Sequence, residues 1–189
     1  MFAIILFFHL TGVAMLFAAC GLEITAFAKL HRARDTSELR AALADGDAIS
    51  TLFPLAVVTL FATGIAMVLV TRMDWRTGWL VVAAALVIVL SLIGSRVTGR
   101  KMQALAATAF QSTSALVDDA ADAARHDVAF NIAGYTSTCG AVAVLFLMSN
   151  RPSLPGALGA VAVAALVSVA LGVRRSRRSA AQSARGVAF

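Results

Sequence analysis

Charge is scarce in this chain. Only 14% of its 189 residues are Asp, Glu, Lys or Arg, and 60% are apolar. A soluble domain averages about a quarter charged and roughly 45–50% apolar, so a soluble globular domain is excluded. Cysteine is nearly absent: Cys20 and Cys139 both fall inside apolar runs, which implies small apolar side chains and no disulfide framework. There is no sustained alternation of apolar and polar residues, and that excludes a transmembrane barrel. A dinucleotide fingerprint, a P-loop, a nucleophile elbow and zinc-ligand spacing are also missing. The net charge of +6 comes with 7% aromatic residues and no basic–aromatic motif, so it does not describe a nucleic-acid surface.

What the chain does have is five apolar blocks: Phe2–Phe27, Leu52–Val70, Trp79–Ile93, Val128–Met148 and Leu154–Val173. Each is near or above the ~18–20 residues that a membrane-spanning helix needs, the third when Thr77–Ser95 is counted. The expected fold is all-α, a polytopic transmembrane helical bundle of five spans. Its expected division is a four-span bundle over 1–153, a fifth span over 154–173 and a basic cytoplasmic tail over 174–189. Basic residues follow the first block and do not precede it, so that block is expected to be an anchor and not a cleaved leader.

The basic residues fix the expected orientation. With the N-terminus outside, the inner segments hold thirteen: Lys29, Arg32, Arg34, Arg40, Arg96, Arg100, Lys101, Arg125, Arg174, Arg175, Arg177, Arg178 and Arg185. The outer segments hold Arg72, Arg76 and Arg151. That asymmetry is the positive-inside pattern and places the C-terminus inside. It also brings the basic face to anionic lipid heads, making the lipid bilayer the first partner.

Between the spans, Asp35-Thr36-Ser37-Glu38 has the spacing of a capping box. Leu39, Ala42 and Leu43 form an apolar face, and Gly46 can end the helix. A short helix on the inner membrane surface is expected. Span two is expected to start near Ser50, with Pro54 in its first turn. Trp75 and Trp79 suit an aromatic belt. Span three should end at Arg96–Lys101. Met102–Asp127, which carries Asp118, Asp119 and Asp122, should continue as a helix projecting beyond the inner face. Span five should end at Arg174-Arg175-Ser176-Arg177-Arg178, with the tail to Phe189 loose.

Helices in lipid associate through small residues and polar contacts. Gly156, Ala160, Ala164, Ser168 and Gly172 recur at every fourth position of span five. This ridge fits packing within the chain, or contact with a homo-oligomer or larger membrane complex. Ser91, Ser95 and Gly99 repeat the spacing in span three. In span four, Asn131, Tyr135 and Thr138 share one face. On span one, His9, Gly12, Leu16, Cys20 and Glu23 do the same. The two faces are expected to pack together.

His9 is a functional candidate, because an imidazole within a span needs a partner, a metal or a water. It is about 33 Å along the helix from His31. Counting from the outer ends of the spans brings Thr63 and Gly64 level with it, with Met67 one turn beyond. Three roles stay open. His9 can be a neutral imidazole bonded to Thr63, an axial ligand of a haem alone or with Met67, or a proton relay. His31 and His126 can approach one another at the inner surface, where solvation is the ordinary state. Glu23 is expected to pair with Lys29 or Arg125, to accept a hydrogen bond from Asn131, or to sit protonated.

Phe8-His9-Leu10-Thr11-Gly12, Leu16-Phe17, Gly21-Leu22, Pro54, Thr63-Gly64 and Gly78-Trp79-Leu80 resemble an uncharacterised bacterial integral-membrane family. That family is similar to the copper-resistance D proteins and the haem-dependent membrane protoporphyrinogen oxidases. The resemblance covers about residues 1–153. It implies a four-helix bundle in the bacterial inner membrane, whose first-span histidine, here His9, faces a haem or porphyrin. Span five departs from that pattern. The further basic catalytic residue of the oxidases has no counterpart inside a span, so enzyme activity stays open. The leading expectation is haem or porphyrin binding through His9 in a redox or tetrapyrrole-related role. The alternatives are an accessory subunit of a larger membrane complex, and proton or metal conduction by His9 and Glu23.

Overall fold

A computed structural model describes residues 1–44, 46–112, 117 and 119–186; Asp118 lies outside them. The chain forms α1 (Phe2–Arg32), α2 (Thr36–Ala44), α3 (Gly46–Thr71), α4 (Gly78–Ile93), a π-helical segment (Gly94–Gly99), α5 (Arg100–Gln111), α6 (Asp119–Arg125), α7 (Val128–Asn150) and α8 (Leu154–Gly186). Five stretches are long and apolar enough to cross a bilayer: Phe2–Arg32, Thr36–Thr71, Gly78–Gln111, Ala121–Asn150 and Leu154–Arg177. The all-α, five-span architecture is the expected one.

Side-by-side packing differs from expectation. α1 runs chiefly along α3, and α7 packs mainly on α8 and α4. The expected face-to-face pairing of α1 with α7 is only partial. Near the loop end, Gly12 lies against Thr59 and Leu60 of α3. Deeper, Leu16 and Cys20 meet both Ala56 of α3 and Ala141 of α7. Toward the basic end, a Cβ on Gly134 would stand 2.7 Å from the Phe27 ring, and Phe27 packs on Phe130 at 4.7 Å between centroids. Small residues decide each contact, because lipid tails and leucines are equally apolar and only close approach discriminates.

The ridge of α8 turns inward onto α7. Ser168 and Gly172 are buried, and a Cβ on Gly172 would lie 2.7 Å from the Ile132 Cα. The inner part of the ridge thus packs within the chain on α7, while Ala160 and Ala164 are half-buried and Gly156 is exposed. α8 also continues as one helix to Gly186, and the loose tail expected after Arg178 does not begin there.

At the basic end, Leu30, Ala33, Leu39, Ala42, Leu43, Leu105, Ala109 and Phe130 form one core. The apolar face of α2 is therefore buried under α1 and α5 and does not lie on the membrane surface. Half of the capping box is present: Glu38 N–H donates to Asp35 Oδ1 at 2.8 Å, whereas the Glu38 carboxylate reaches past the cap residue and accepts from Arg34 N–H at 2.8 Å. The Glu38 amide, with the Ser37 hydroxyl, holds the Asp35 carboxyl below its ordinary value. The sign is that of a lowered carboxylate: the cap is at full strength above the usual range and is lost as pH falls through the lowered value.

Two arginines close helix ends that would otherwise leave carbonyls orphaned. Arg125 Nη1 donates to Leu30 O at 2.9 Å and Ala33 O at 2.7 Å, at the end of α1. Arg40 donates to Ala109 O at 2.9 Å and Ser112 O at 2.7 Å, at the end of α5.

Several boundaries move. α3 begins at Gly46, which opens this helix, so Pro54 sits in its third turn and not its first. Span three does not stop at the basic stretch; it widens into the π-helical turn and runs on as α5. α5 buries Leu105 and Ala109 in the core, so the segment packs where a projecting helix was expected. Trp75 is exposed. Trp79 is 9% exposed, packed with Leu147 and Ala157, with Arg151 5.9 Å over its ring; only Trp75 suits a belt.

Gly172→Val should detach α8 from α7 and cost about 1–3 kcal/mol through overpacking, read as a lowered midpoint in reversible detergent unfolding. Arg125→Met should cost about 1–3 kcal/mol by leaving two carbonyls unpaired, with increased protease sensitivity between α1 and α2.

Candidate functional site

Helix α1 carries His9 on the face that packs on α3. Its Nδ1 lies 2.9 Å from Thr63 Oγ1. A hydroxyl has a single proton to donate. The Thr63 hydroxyl lies 2.6 Å from Thr59 O, one turn back along α3, and donates there. Towards His9 the same oxygen is therefore an acceptor, and His9 Nδ1 carries the proton. This assignment follows from counting donors, and it makes His9 the Nδ1–H tautomer. The lone pair is then on Nε2, for which the described residues supply no hydrogen-bond partner.

Gly64 follows Thr63 and faces the ring edge; a Cβ there would come 3.8 Å from His9 Cε1. Met67 is half-buried one turn beyond Thr63, on the same face of α3. The expected level of Thr63 and Gly64 with His9 is what the packing gives. Among the described residues, no three His, Cys, Asp or Glu side chains are grouped to hold a metal ion.

The second buried polar region lies toward the basic end, between α1 and α7. Glu23 is 6% exposed. Its Oε1 accepts a long hydrogen bond of 3.4 Å from Ser137 Oγ, and its Oε2 is buried without a partner. The expected pairing with Arg125 does not occur, because Arg125 is held by Asp122 and the carbonyls of α1. Asn131 also points elsewhere. Its Nδ2 donates to Asp127 O at 2.9 Å and Ser176 Oγ at 3.2 Å, so it ties α7 to α8 and does not bond Glu23.

His31 and His126 do meet, with ring centroids 5.6 Å apart, but not as two solvated side chains. His31 Nδ1 donates to Phe27 O at 2.7 Å, and its Nε2 is buried without a partner. His126 Nδ1 stands 3.5 Å from Asp122 Oδ2. Reading the sequence missed Ser137 as the partner of Glu23. The available signal was the seven-residue step Phe130–Ser137, which puts both on the α1-facing side of α7.

Thr63→Val keeps the shape and removes the acceptor. It should destabilise the α1–α3 pair by about 0.6–1.7 kcal/mol, the range for hydrogen bonds between membrane helices, and Thr63→Ser should retain most of that. Reversible unfolding in mixed micelles measures both.

Comparison with curated proteins gave no match, and neither did comparison with solved structures. A family model described as "Predicted integral membrane protein (DUF2269)" matches residues 3–152. The match takes in α1 to α7, including His9, Thr63 and Glu23, and leaves out α8. The chain is thus an integral membrane protein whose lipid-facing surface is the bilayer's, and it belongs to the DUF2269 family.

Proposed function

We propose that this protein binds a haem or related metalloporphyrin in the membrane, which His9, through Nε2, and Met67 would hold. The single observation that carries this reading is the Thr63 hydroxyl. Because Thr63 donates to its own helix, it accepts from His9 Nδ1–H and leaves the lone pair on Nε2. A histidine that ligates a metal donates its other ring N–H to an acceptor in this way, which fixes the tautomer and raises ligand basicity.

Three further features agree. Gly64 leaves the Cε1 edge of the ring uncrowded. Phe7, Phe8 and Leu10 next to His9 are exposed apolar side chains, suited to the rim of a porphyrin as much as to lipid tails. One imidazole and one thioether suffice where the macrocycle supplies the other four ligands. When bound, such a group supplies one-electron transfer or tetrapyrrole handling. The chain's part is to orient His9, hold Met67 on the adjoining turn and keep water away. The thirteen-to-three distribution of basic residues supports an N-terminus outside, in a bacterial inner membrane, with the His9 end of the bundle toward the outer leaflet.

Protein purified in mild detergent, or loaded with hemin, should show a Soret band. Its absence in His9→Ala and a several-fold weaker hemin affinity in Thr63→Val would support the reading. Met67→Leu should shift the band and leave it in place. Protein that stays colourless after loading, or a spectrum unchanged in His9→Ala, would overturn it.

A further inference from the structure

Four buried polar atoms on the two helices that meet at the Glu23 level have no hydrogen-bond partner among the described residues: Glu23 Oε2 and His31 Nε2 on α1, Asn131 Oδ1 and Thr138 Oγ1 on α7. Buried polar groups in folded proteins are satisfied in the great majority, so such a concentration marks a place for water or an ion. In a span the constraint is stricter, because lipid offers no partner at all.

The atoms are not scattered. Asn131 is 1% exposed, and its side chain, with the charges of Arg175 and His126, acts on the His31 ring. His31 in turn touches His126, which shares Asp122 with the buried Arg125, and the His126 and Asp122 side chains reach the surface at the basic end. Further in, past Phe27 on Gly134, stands Glu23. It is eight residues, or about 12 Å, along α1 from His31. On the opposite side of Glu23 the polar groups stop. Cys20 one turn away is packed with Leu16, Ala56 and Ala141, with Phe53 of α3 against them. The groups facing Glu23 are therefore Ser137 from α7 and Cys20 from its own helix, and Glu23 takes part in no ion pair among the described residues.

We infer that Glu23 is a proton-binding site inside the membrane-spanning bundle, reached from the basic end by way of His126, His31 and Asn131. The ligand is a proton, delivered through water. The chemistry is an exchange and not a net reaction. A proton from solvent adds to the His31 Nε2 lone pair while Nδ1–H stays bonded to Phe27 O. The same Nε2–H bond then breaks to the first of a chain of waters passing Phe27 over the roughly 12 Å to Glu23, each water taking one proton and giving one up, and the carboxylate takes the proton from the last. Asn131 Oδ1 is the acceptor that a protonated Nε2 needs, which explains why a buried amide oxygen is left open beside an imidazole. A carboxyl without a counter-charge in this setting is stable as the neutral acid. This site is separate from His9 and does not depend on a bound porphyrin.

The test uses the full-length protein in lipid nanodiscs. Infrared difference spectra between the parent and Glu23→Gln should show a carboxylic-acid C=O band at neutral pH that Glu23 alone supplies. In D2O the band should shift within the mixing time and shift several-fold more slowly in Asn131→Leu and His31→Phe. Labelling of the unmutated protein by a hydrophobic carbodiimide, read by mass spectrometry, should modify Glu23, because such reagents attack protonated carboxyls in apolar surroundings. No acid band together with no labelling would overturn the proton site. An acid band that exchanges at the same rate in Asn131→Leu and His31→Phe as in the parent would overturn the route.

Discussion

A helix in lipid must satisfy its polar atoms from within the protein, and most of this structure follows from that constraint. Side-chain hydroxyls turn back on their own helix: Thr63 on Thr59, Ser91 on Val87, Ser168 on Ala164. Asn131 reaches across to Ser176 and so fastens α8 to α7. Where helix ends leave carbonyls open, Arg125 and Arg40 close them. The two arginines come from sequence-distant segments, so the basic end is held by long-range hydrogen bonds as well as by its apolar core. Guanidinium is the fitting group, because its fixed fork reaches two carbonyls at once.

Against that background the unsatisfied atoms stand out. His9 Nε2 is left with a lone pair because Thr63 has already fixed the other nitrogen. Glu23 Oε2, His31 Nε2, Asn131 Oδ1 and Thr138 Oγ1 are left inside. The two sets lie at opposite ends of α1 and call for different ligands. The first is on the α1–α3 contact, where we propose the porphyrin. The second is on the helices α1 and α7 and suits water and protons. One protein can hold both because α1 changes its main neighbour along its length, from α3 beside Gly12 to α7 beside Phe27.

The five spans were legible from the apolar blocks, and the cap of α2 from Asp35 and Glu38. His9 and Thr63 were paired correctly by register, since antiparallel helices of known rise bring residues level by simple counting. Neighbour choice was not legible. Apolar faces meet lipid and protein alike, so nothing in the composition of α1 says that Leu16 and Cys20 face Ala56 as well as Ala141. Arg125 was read as a possible partner of Glu23 because charge pairing is visible in sequence, whereas open carbonyls at a helix end are not. The burial of Trp79 depended on α8 passing beside it. The π-helical turn over Gly94–Gly99 has no periodic signature of its own.

The central claim is that Thr63 holds His9 as the Nδ1–H tautomer with Nε2 available. Nitrogen NMR of the protein with ¹⁵N-labelled histidine, assigned through His9→Gln, reads this directly. The account predicts a protonated Nδ1 and an unprotonated Nε2 for His9 at neutral pH, with the Nε2 signal alone displaced when zinc porphyrin is added. A His9 ring protonated at Nε2, or an Nε2 signal indifferent to the porphyrin, would contradict it.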